Sequence, residues 1–472
     1  MTKLPPTQAG AAPGYRRICL IIASALFMEN IDATVLATAV PTMARDLHVS
    51  APSMSVAFTA YLLALAIFIP ASGRAADRWG AKNVFRTALV VFMAGSLCCA
   101  LAPNLPLLAL ARFAQGLGGA MMTPVGRLVL LRTVSKRDLV AATSWLLMPG
   151  LIGQIAGPPL GGLIVSNVDW RWIFWVNLPI GALGSYLVAR FIPDVRGSGQ
   201  RPFDFRGFLY SGAALTTLLF GLEAGGRGSE WGLAIPLLLA GAGLAALYVW
   251  HAGRHPHPIL DLALLRVPTF RLSLIGGSLT RITQGAHPFL LPLMMQLAFG
   301  MKASQSGLIT MGTALGTFTM KGFAAPILRR WGFRSSMTTF GALGVCCYAL
   351  CGLFRPGWPM PLVFAVLVTS GFLLSFQFTA YNTLAYDQID KDMMSSATSF
   401  YATFQQLSMS LGVLVGATAL HVSMGLGGRL APVFSDFSAA FWTVTAISLC
   451  TLVALYADQV RASKMGITIW GA

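Results

Sequence analysis

The sequence predicts an all-α integral membrane protein of fourteen transmembrane helices, two six-helix bundles with two additional spans between them. Three observations carry that expectation. Of 472 residues, 56% are hydrophobic and 10% charged, a balance that suits a chain whose solvent is lipid. Apolar runs long enough to cross a hydrocarbon layer of ~30 Å recur along the whole chain, parted by short polar breaks. Lysines and arginines gather in alternate breaks, as they do in cytoplasmic loops.

Each span follows from its flanks. Lys3, Arg16 and Arg17 precede span 1 (17–40), expected to be retained because no small-residue cleavage site follows it. Span 2 (55–73) runs into Arg74, Arg78, Lys82 and Arg86, and span 3 (84–103) returns. Span 4 (105–131) ends at Arg132, Lys136 and Arg137, span 5 (140–165) leads towards Arg171, and span 6 (172–192) ends among Arg190, Arg196, Arg201 and Arg206. Spans 7 and 8 (207–225, 231–250) turn at Arg227 and finish before Arg254, Arg266 and Arg271. Spans 9 and 10 (271–298, 304–328) turn at Lys302 and reach Arg329, Arg330 and Arg334. Spans 11 and 12 (335–354, 360–383) turn at Arg355 and reach Lys391, and spans 13 and 14 (395–423, 437–458) turn at Arg429 before Arg461 and Lys464.

Twenty-three of the 33 lysines and arginines thus fall on one side and six on the other. The bias puts both termini in the cytoplasm and the protein in a plasma membrane, the inner membrane of a bacterium. It also accounts for the net charge of +17 by loops facing anionic lipid, with no basic domain for nucleic acid. The seven cysteines make no CxxC and lie in apolar runs, so neither a disulfide frame nor a zinc site is expected.

A repeat organises the chain further. Arg78, Trp79, Gly80 and Lys82 after span 2 recur as Arg330, Trp331, Gly332 and Arg334 after span 10, with Asp77 of the first copy replaced by Arg329. A duplicated bundle is a known way to build a carrier with its site between the halves. The expected organisation is a tail (1–16), an N-terminal bundle (17–192), a loop (193–206), two linker spans (207–250), a loop (251–270), a C-terminal bundle (271–458) and a tail (459–472).

Several stretches resemble one family. GRAADRWGAK (residues 73–82) looks like the loop signature of the major facilitator superfamily, RFAQGLGGA (112–120) like its fourth-span signature and GQIAGPPLGG (153–162) like the antiporter signature of its fifth span. With MENIDATVLATAVP in span 1, WRWIFWVNLPIG at 170–181 and fourteen spans, the chain is similar to the drug:proton antiporter family of EmrB/QacA type. Ala75 and Arg329 depart from the loop signature. The resemblance implies the major facilitator fold and outward export of an organic solute driven by inward protons, with Gly73, Asp77, Arg78, Gly80 and Lys82 as the gating loop and Gly153, Gly157, Pro158, Gly161 and Gly162 as the antiporter motif.

Charges inside a bilayer cost several kcal/mol, on the order of 3, and demand an explanation of their own. Glu29 and Asp32 of span 1 and Arg112 of span 4 are expected to meet in the outer half. Burial raises a carboxyl pKa and a neighbouring Arg lowers it, so such a pocket can hold an acid poised for proton coupling. A permanent Asp32–Arg112 pair is the rival reading. Arg281 sits mid-span, where no side chain can snorkel; with Gln284 and His287 it lines a cavity, or else pairs with an acid elsewhere. Gln377, Asn382, Gln405 and Gln406 are cavity candidates or interhelical hydrogen-bonders. Arg127 and Lys321 either reach headgroups or make the inner cavity basic.

Other motifs carry two readings each. Gly153, Gly157 and Gly161 share a face without side chains, which serves tight packing or a moving interface, and Pro158 and Pro159 are expected to interrupt the helix. Asp77 latches the inner gate against the N-terminus of the helix beginning near Met394, or makes a local loop pair. His251, His255 and His257 have a spacing a metal could use, but no cysteine lies near them and the nearest acid, Asp261, is four residues beyond His257, and no metal is expected.

The sequence therefore predicts a proton-coupled exporter of drugs or other small organic molecules working by alternating access; the alternative is an exporter of an organic anion such as a tricarboxylate or its metal complex. Its partners are the lipid bilayer, a small-molecule substrate and protons, with no cofactor. Nothing demands more than a monomer, and no segment is assigned to a periplasmic or outer-membrane partner. A membrane enzyme is disfavoured because no intramembrane His/Glu/Ser set has catalytic spacing.

Overall fold

The computed structural model describes residues 15–134, 138–194, 203–226, 230–390 and 393–464. The helices are α1 (Tyr15–Asp46), α2 (Ser55–Trp79), α3 (Ala81–Ala100), α4 (Leu105–Thr133), α5 (Leu139–Asn167), α6 (Trp172–Trp175), α7 (Asn177–Phe191), α8 (Phe205–Gly226), α9 (Trp231–Ala252), α10 (Pro268–Leu293), α11 (Ala303–Cys351), α12 (Met360–Ala385), α13 (Met394–Leu426) and α14 (Phe434–Lys464). No strand occurs among the described residues, as lipid requires of a chain that must satisfy its own backbone.

Among the described residues these make fourteen helical segments, counting α6 with α7 as one and α11 as two, divided at Gly332 where φ is +71°. Among the described residues, ten helices are long and apolar enough to cross a membrane by themselves. α10 misses that standard because it carries Arg281, Gln284 and His287 among several Ser and Thr.

Local chemistry sets the ends. Asn104 Oδ1 accepts the Leu107 N–H at 3.0 Å and Pro106 follows at once, so α4 starts there. α2 stops at Gly80, whose φ of +87° few other residues adopt. Gly80 and Gly332 occupy the same place in the two Arg-Trp-Gly loops, and both have positive φ; the repeated sequence makes the same turn twice. Trp79 and Trp331 are exposed beside them, as at a membrane interface. Asp204 caps α8, its Oδ1 accepting the Gly207 N–H at 2.8 Å. Burial pushes the Asp204 carboxyl up, but hydrogen bonds from Gly207, His251 and the Ile259 N–H outweigh it and hold the group below the usual carboxylate range.

Packing repeats as well. In the first half α1 lies along α5, α4 against α2 and α3, and α7 against α3 and α1; in the second, α10 lies along α13, α12 against α11, and α14 against α10 and α11. The halves meet where α2 packs on α13 and α5 on α11, and the α8–α9 hairpin leans on α2 and α13 through α8.

Among the described residues the halves share a core at one end only. At the end where α1 finishes, Val35, Val40, Met43 and Phe58 join Phe289, Leu290, Met294 and Leu420 in one cluster, with Phe58 and Phe289 edge to face at 5.7 Å. Gln296 Nε2 donates to the Thr38 carbonyl at 3.0 Å across the same seam. Towards the other end, which carries Arg78, Arg132 and Arg254, the clusters separate: Ile22, Phe85 and Val129 belong to the first half, while Phe270, Phe400 and Tyr401, and Met320, Phe376 and Tyr381, belong to the second. The closed seam therefore lies opposite the basic end.

Candidate functional site

Asp32 lies at the midpoint of α1, because that helix runs on to Asp46, six residues past the expected limit. The residue is 3% exposed and its carboxylate is fully engaged. Oδ2 accepts Arg112 Nη1 at 2.6 Å, and Oδ1 accepts both Gln115 Nε2 and Asn177 Nδ2 at 2.8 Å. Arg112 Nη1 also donates to Gln115 Oε1 at 2.6 Å, and its Nε donates to the Ala57 carbonyl at 3.3 Å. The guanidinium lies over the Tyr61 ring at 4.4 Å, a cation–π contact in a desolvated setting. Ser96 Oγ closes the set by accepting from Gln115 at 2.7 Å and Asn177 at 3.1 Å.

Five helices thus converge on one buried ion pair: α1, α2, α3, α4 and α7. A charge so deep is tolerated because an opposite charge and several hydrogen bonds replace the water it lost. Chemically the set offers Asp32 one cationic and two amide donors, so the carboxylate and the guanidinium are tied to each other and, through four further hydrogen bonds, to Gln115, Asn177 and the Ala57 carbonyl.

Glu29, one turn away on the same helix, stands outside this network: its Oε2 accepts from Thr123 Oγ1 at 3.0 Å, and it is half-buried towards the basic end. Of the three charges expected to meet, Asp32 and Arg112 form the ion pair, while Glu29, near enough to act electrostatically on Asp32 and Tyr61, takes its hydrogen bond from α4. Gln115, Asn177, Ser96 and Tyr61 were not singled out from the sequence. Gln115 lies in RFAQGLGGA and Asn177 in WRWIFWVNLPIG, so both stood inside stretches already marked.

The second-half candidates divide. Arg281 is 2% exposed, donates from Nη2 to the Tyr401 hydroxyl at 3.0 Å and lies over the Tyr401 and Phe378 rings at 4.6 and 5.3 Å. Lys321 Nζ lies 5.7 Å from that same Phe378 ring. Among the described residues Arg281 meets no carboxylate, and its Nε has no partner. Gln284 donates to the Leu374 carbonyl at 3.0 Å and His287 meets Thr313 Oγ1 at 3.0 Å, so the three α10 residues point to three different helices rather than to one cavity. Gln377 is buried and donates to the Met337 carbonyl at 2.7 Å; it bonds helix to helix and does not line a cavity. Asn382 bonds within its own helix to the Phe378 carbonyl at 2.7 Å. Gln405 is half-buried and makes no hydrogen bond among the described residues.

The motif residues also sort themselves. Among the loop residues, Asp77 accepts from Arg132 Nη2 at 2.7 Å, a partner on α4 of its own half rather than the start of α13, so the cross-half latch is not made in this state. Arg78 stacks over Trp79 at 5.8 Å, Lys82 is half-buried and Gly73 is exposed with open space around it. In α5, Gly153 and Gly161 lie against the Phe27 and Val35 carbonyls, where an added Cβ would stand 3.0 and 2.7 Å from the oxygens, and a Cβ at Gly157 would overlap Thr34 Oγ1. This glycine face therefore packs on α1 within one half. It is Gly162 and Pro158 that meet the other half, against Ala303 and Gly307 of α11. α5 passes through Pro149, Pro158 and Pro159 without breaking.

Comparison with known proteins agrees with this architecture. The sequence profile of the Major Facilitator Superfamily matches residues 22–413. The chain is 36% identical over 407 residues to the "Putative multidrug resistance protein MdtD" of Klebsiella pneumoniae (strain 342), covering 85% of each chain. It is 36% identical over 409 residues to the "Probable transport protein HsrA" of Haemophilus influenzae, covering 86% of this chain and 88% of that one. Two solved structures share the fold at low identity. The D-xylose-proton symporter has a TM-score of 0.65 at 13% identity, over 93% of this chain and 97% of that one. The nucleoside transporter NupG has a TM-score of 0.61 at 14% identity, over 94% and 98%.

Proposed function

The chain belongs to the major facilitator superfamily, a multi-pass membrane transporter rather than an enzyme, and on that premise we propose that it exports drugs or other small organic molecules in exchange for protons. In this reading it is a fourteen-span drug:proton antiporter of a bacterial inner membrane, with both termini and the basic end in the cytoplasm. Solute enters between the halves from the basic end, and rocking of one half on the other moves the opening to the far end.

The observation that carries the reading is the buried Asp32–Arg112 pair at 2.6 Å. An acid held ionised by one arginine at the junction of five helices has two discrete states, paired and protonated. Each state favours a different packing of α1 against α4, which is what coupling a proton to a conformational change needs. Glu29, held by Thr123 on the side of the basic end, is the second proton-carrying group. A solute that bound both conformations equally would couple to nothing. Proteoliposome transport with and without an imposed pH gradient tests the reading: export that follows the gradient supports it, and export indifferent to it removes it.

One observation favours the second reading, an organic anion. Arg281 is buried with no carboxylate partner among the described residues, and Lys321 shares its Phe378 ring. Two basic side chains on one aromatic ring suit an anion better than a lipophilic cation. Export of a cationic dye that is untouched by Arg281→Ala would remove this second reading.

A further inference from the structure

His251, His255 and His257 have a spacing a metal could use, and the acid nearest them in sequence, Asp261, is taken up in capping the turn that follows, its Oδ1 accepting the Ala263 N–H at 2.9 Å. The fold supplies another. Asp204 comes from the start of α8 to the end of α9, and His251 Nε2 lies 2.7 Å from its Oδ1. The carboxylate is anchored there by the Gly207 N–H on Oδ1 at 2.8 Å and the Ile259 N–H on Oδ2 at 3.2 Å. His255 follows His251 by one turn, its own N–H donating to the His251 carbonyl at 3.0 Å, and the two rings stand 5.2 Å apart, inclined by 31°. The Tyr210 ring edge against His251 at 5.7 Å steadies the first imidazole. One nitrogen of each ring and one Asp204 oxygen all lie within 4.8 Å of one another.

We propose that Asp204, His251 and His255 bind a divalent transition cation of the Zn2+ class at the basic end of the α8–α9 hairpin. Two imidazoles and one carboxylate are a donor set such ions take with a fourth position left to water, whereas Mg2+ and Ca2+ prefer oxygen alone. Donors on a tetrahedral ion stand roughly 3.3 Å apart at bond lengths of about 2.0–2.1 Å. The His251–Asp204 hydrogen bond must therefore open slightly and the His255 ring must swing in, which side-chain torsions alone allow. The two backbone N–H donors on Asp204 are the outer partners that fix a ligand's direction. Arg254, the cation nearest in sequence, is stacked on the Trp250 ring at 4.4 Å. His257 Nδ1 is not needed, and the long 3.3 Å bond from the His257 N–H to His255 Nδ1 gives way if that nitrogen turns to the ion.

The bound ion would tie the start of α8, the end of α9 and the connector at Ile259 that leads into α10. It would stiffen the join between the hairpin and the second half from the side, away from Asp32. The site is independent of the transported solute.

The test uses the purified full-length chain in detergent, stripped with chelator and titrated with ZnCl2 by calorimetry. One Zn2+ per chain is expected, with binding weakened more than about tenfold by His251→Ala and by His255→Ala and unchanged by His257→Ala. A Zn2+-dependent rise in thermal unfolding midpoint should be present in wild type and lost in both ligand variants. Gel filtration confirms that each variant remains folded, and Asp204→Asn, which keeps the α8 cap, serves as a third ligand variant should either histidine variant aggregate. No Zn2+ binding by wild type, or binding that survives in the His251→Ala/His255→Ala double variant, overturns the site.

Discussion

Arg112 on α4 reaches Asp32 on α1 at 2.6 Å with both side chains 1% exposed, so each is the main reason the other can remain charged there. Removing one partner strands a buried charge, which costs about 3–5 kcal/mol, more than the pair itself contributes. Arg112→Ala and Asp32→Ala should each lower the thermal unfolding midpoint in detergent strongly. The double variant Asp32→Asn/Arg112→Gln should lose less than the sum of its parts.

Asn177 gives Asp32 its third hydrogen bond and joins it to Ser96. Asn177→Ala leaves Oδ1 with Gln115 alone and should cost about 1–3 kcal/mol. Thermal unfolding reads that loss, and Asn177→Asp, which sets a second carboxylate beside Asp32, should be worse than Asn177→Ala.

The α5 glycines should behave unlike Gly73. An added methyl at Gly157 overlaps Thr34 and one at Gly161 presses on the Val35 carbonyl, whereas Gly73 has open space. Gly157→Ala should destabilise by about 1–3 kcal/mol through overpacking, and Gly73→Ala should stabilise its helix by up to about 1 kcal/mol. Unfolding midpoints of the two variants should move in opposite directions.

The two loop glycines share positive φ but not surroundings. A methyl at Gly332 meets only backbone strain, of order 1–3 kcal/mol, while one at Gly80 would also overlap the Asp194 carboxylate. Gly80→Ala should therefore be the more damaging, as measured by expression level and unfolding midpoint side by side.

These cases also show what the sequence could carry. The helices, the repeated loop and the Asp32–Arg112 pair were legible because lipid leaves few options: apolar runs must be helices and a buried carboxylate needs a cation or hydrogen-bond donors around it. Gln115 and Ser96 were not, since neutral polar residues in a span serve equally as interhelical bonds. The partner of the Gly153–Gly161 face was illegible for a different reason, as a smooth face says only that some backbone comes close. Asp204 and His251 are separated by 47 positions, and only the α8–α9 hairpin brings them together.

The most direct test of the account is transport by proteoliposomes carrying wild type or Asp32→Asn, with an imposed pH gradient and two probes, ethidium and radiolabelled citrate. Wild type should move one of them in proportion to the gradient, and Asp32→Asn should bind that probe yet no longer respond to the gradient. Transport by Asp32→Asn that follows the gradient as wild type does would contradict the assignment of Asp32 as the coupling acid.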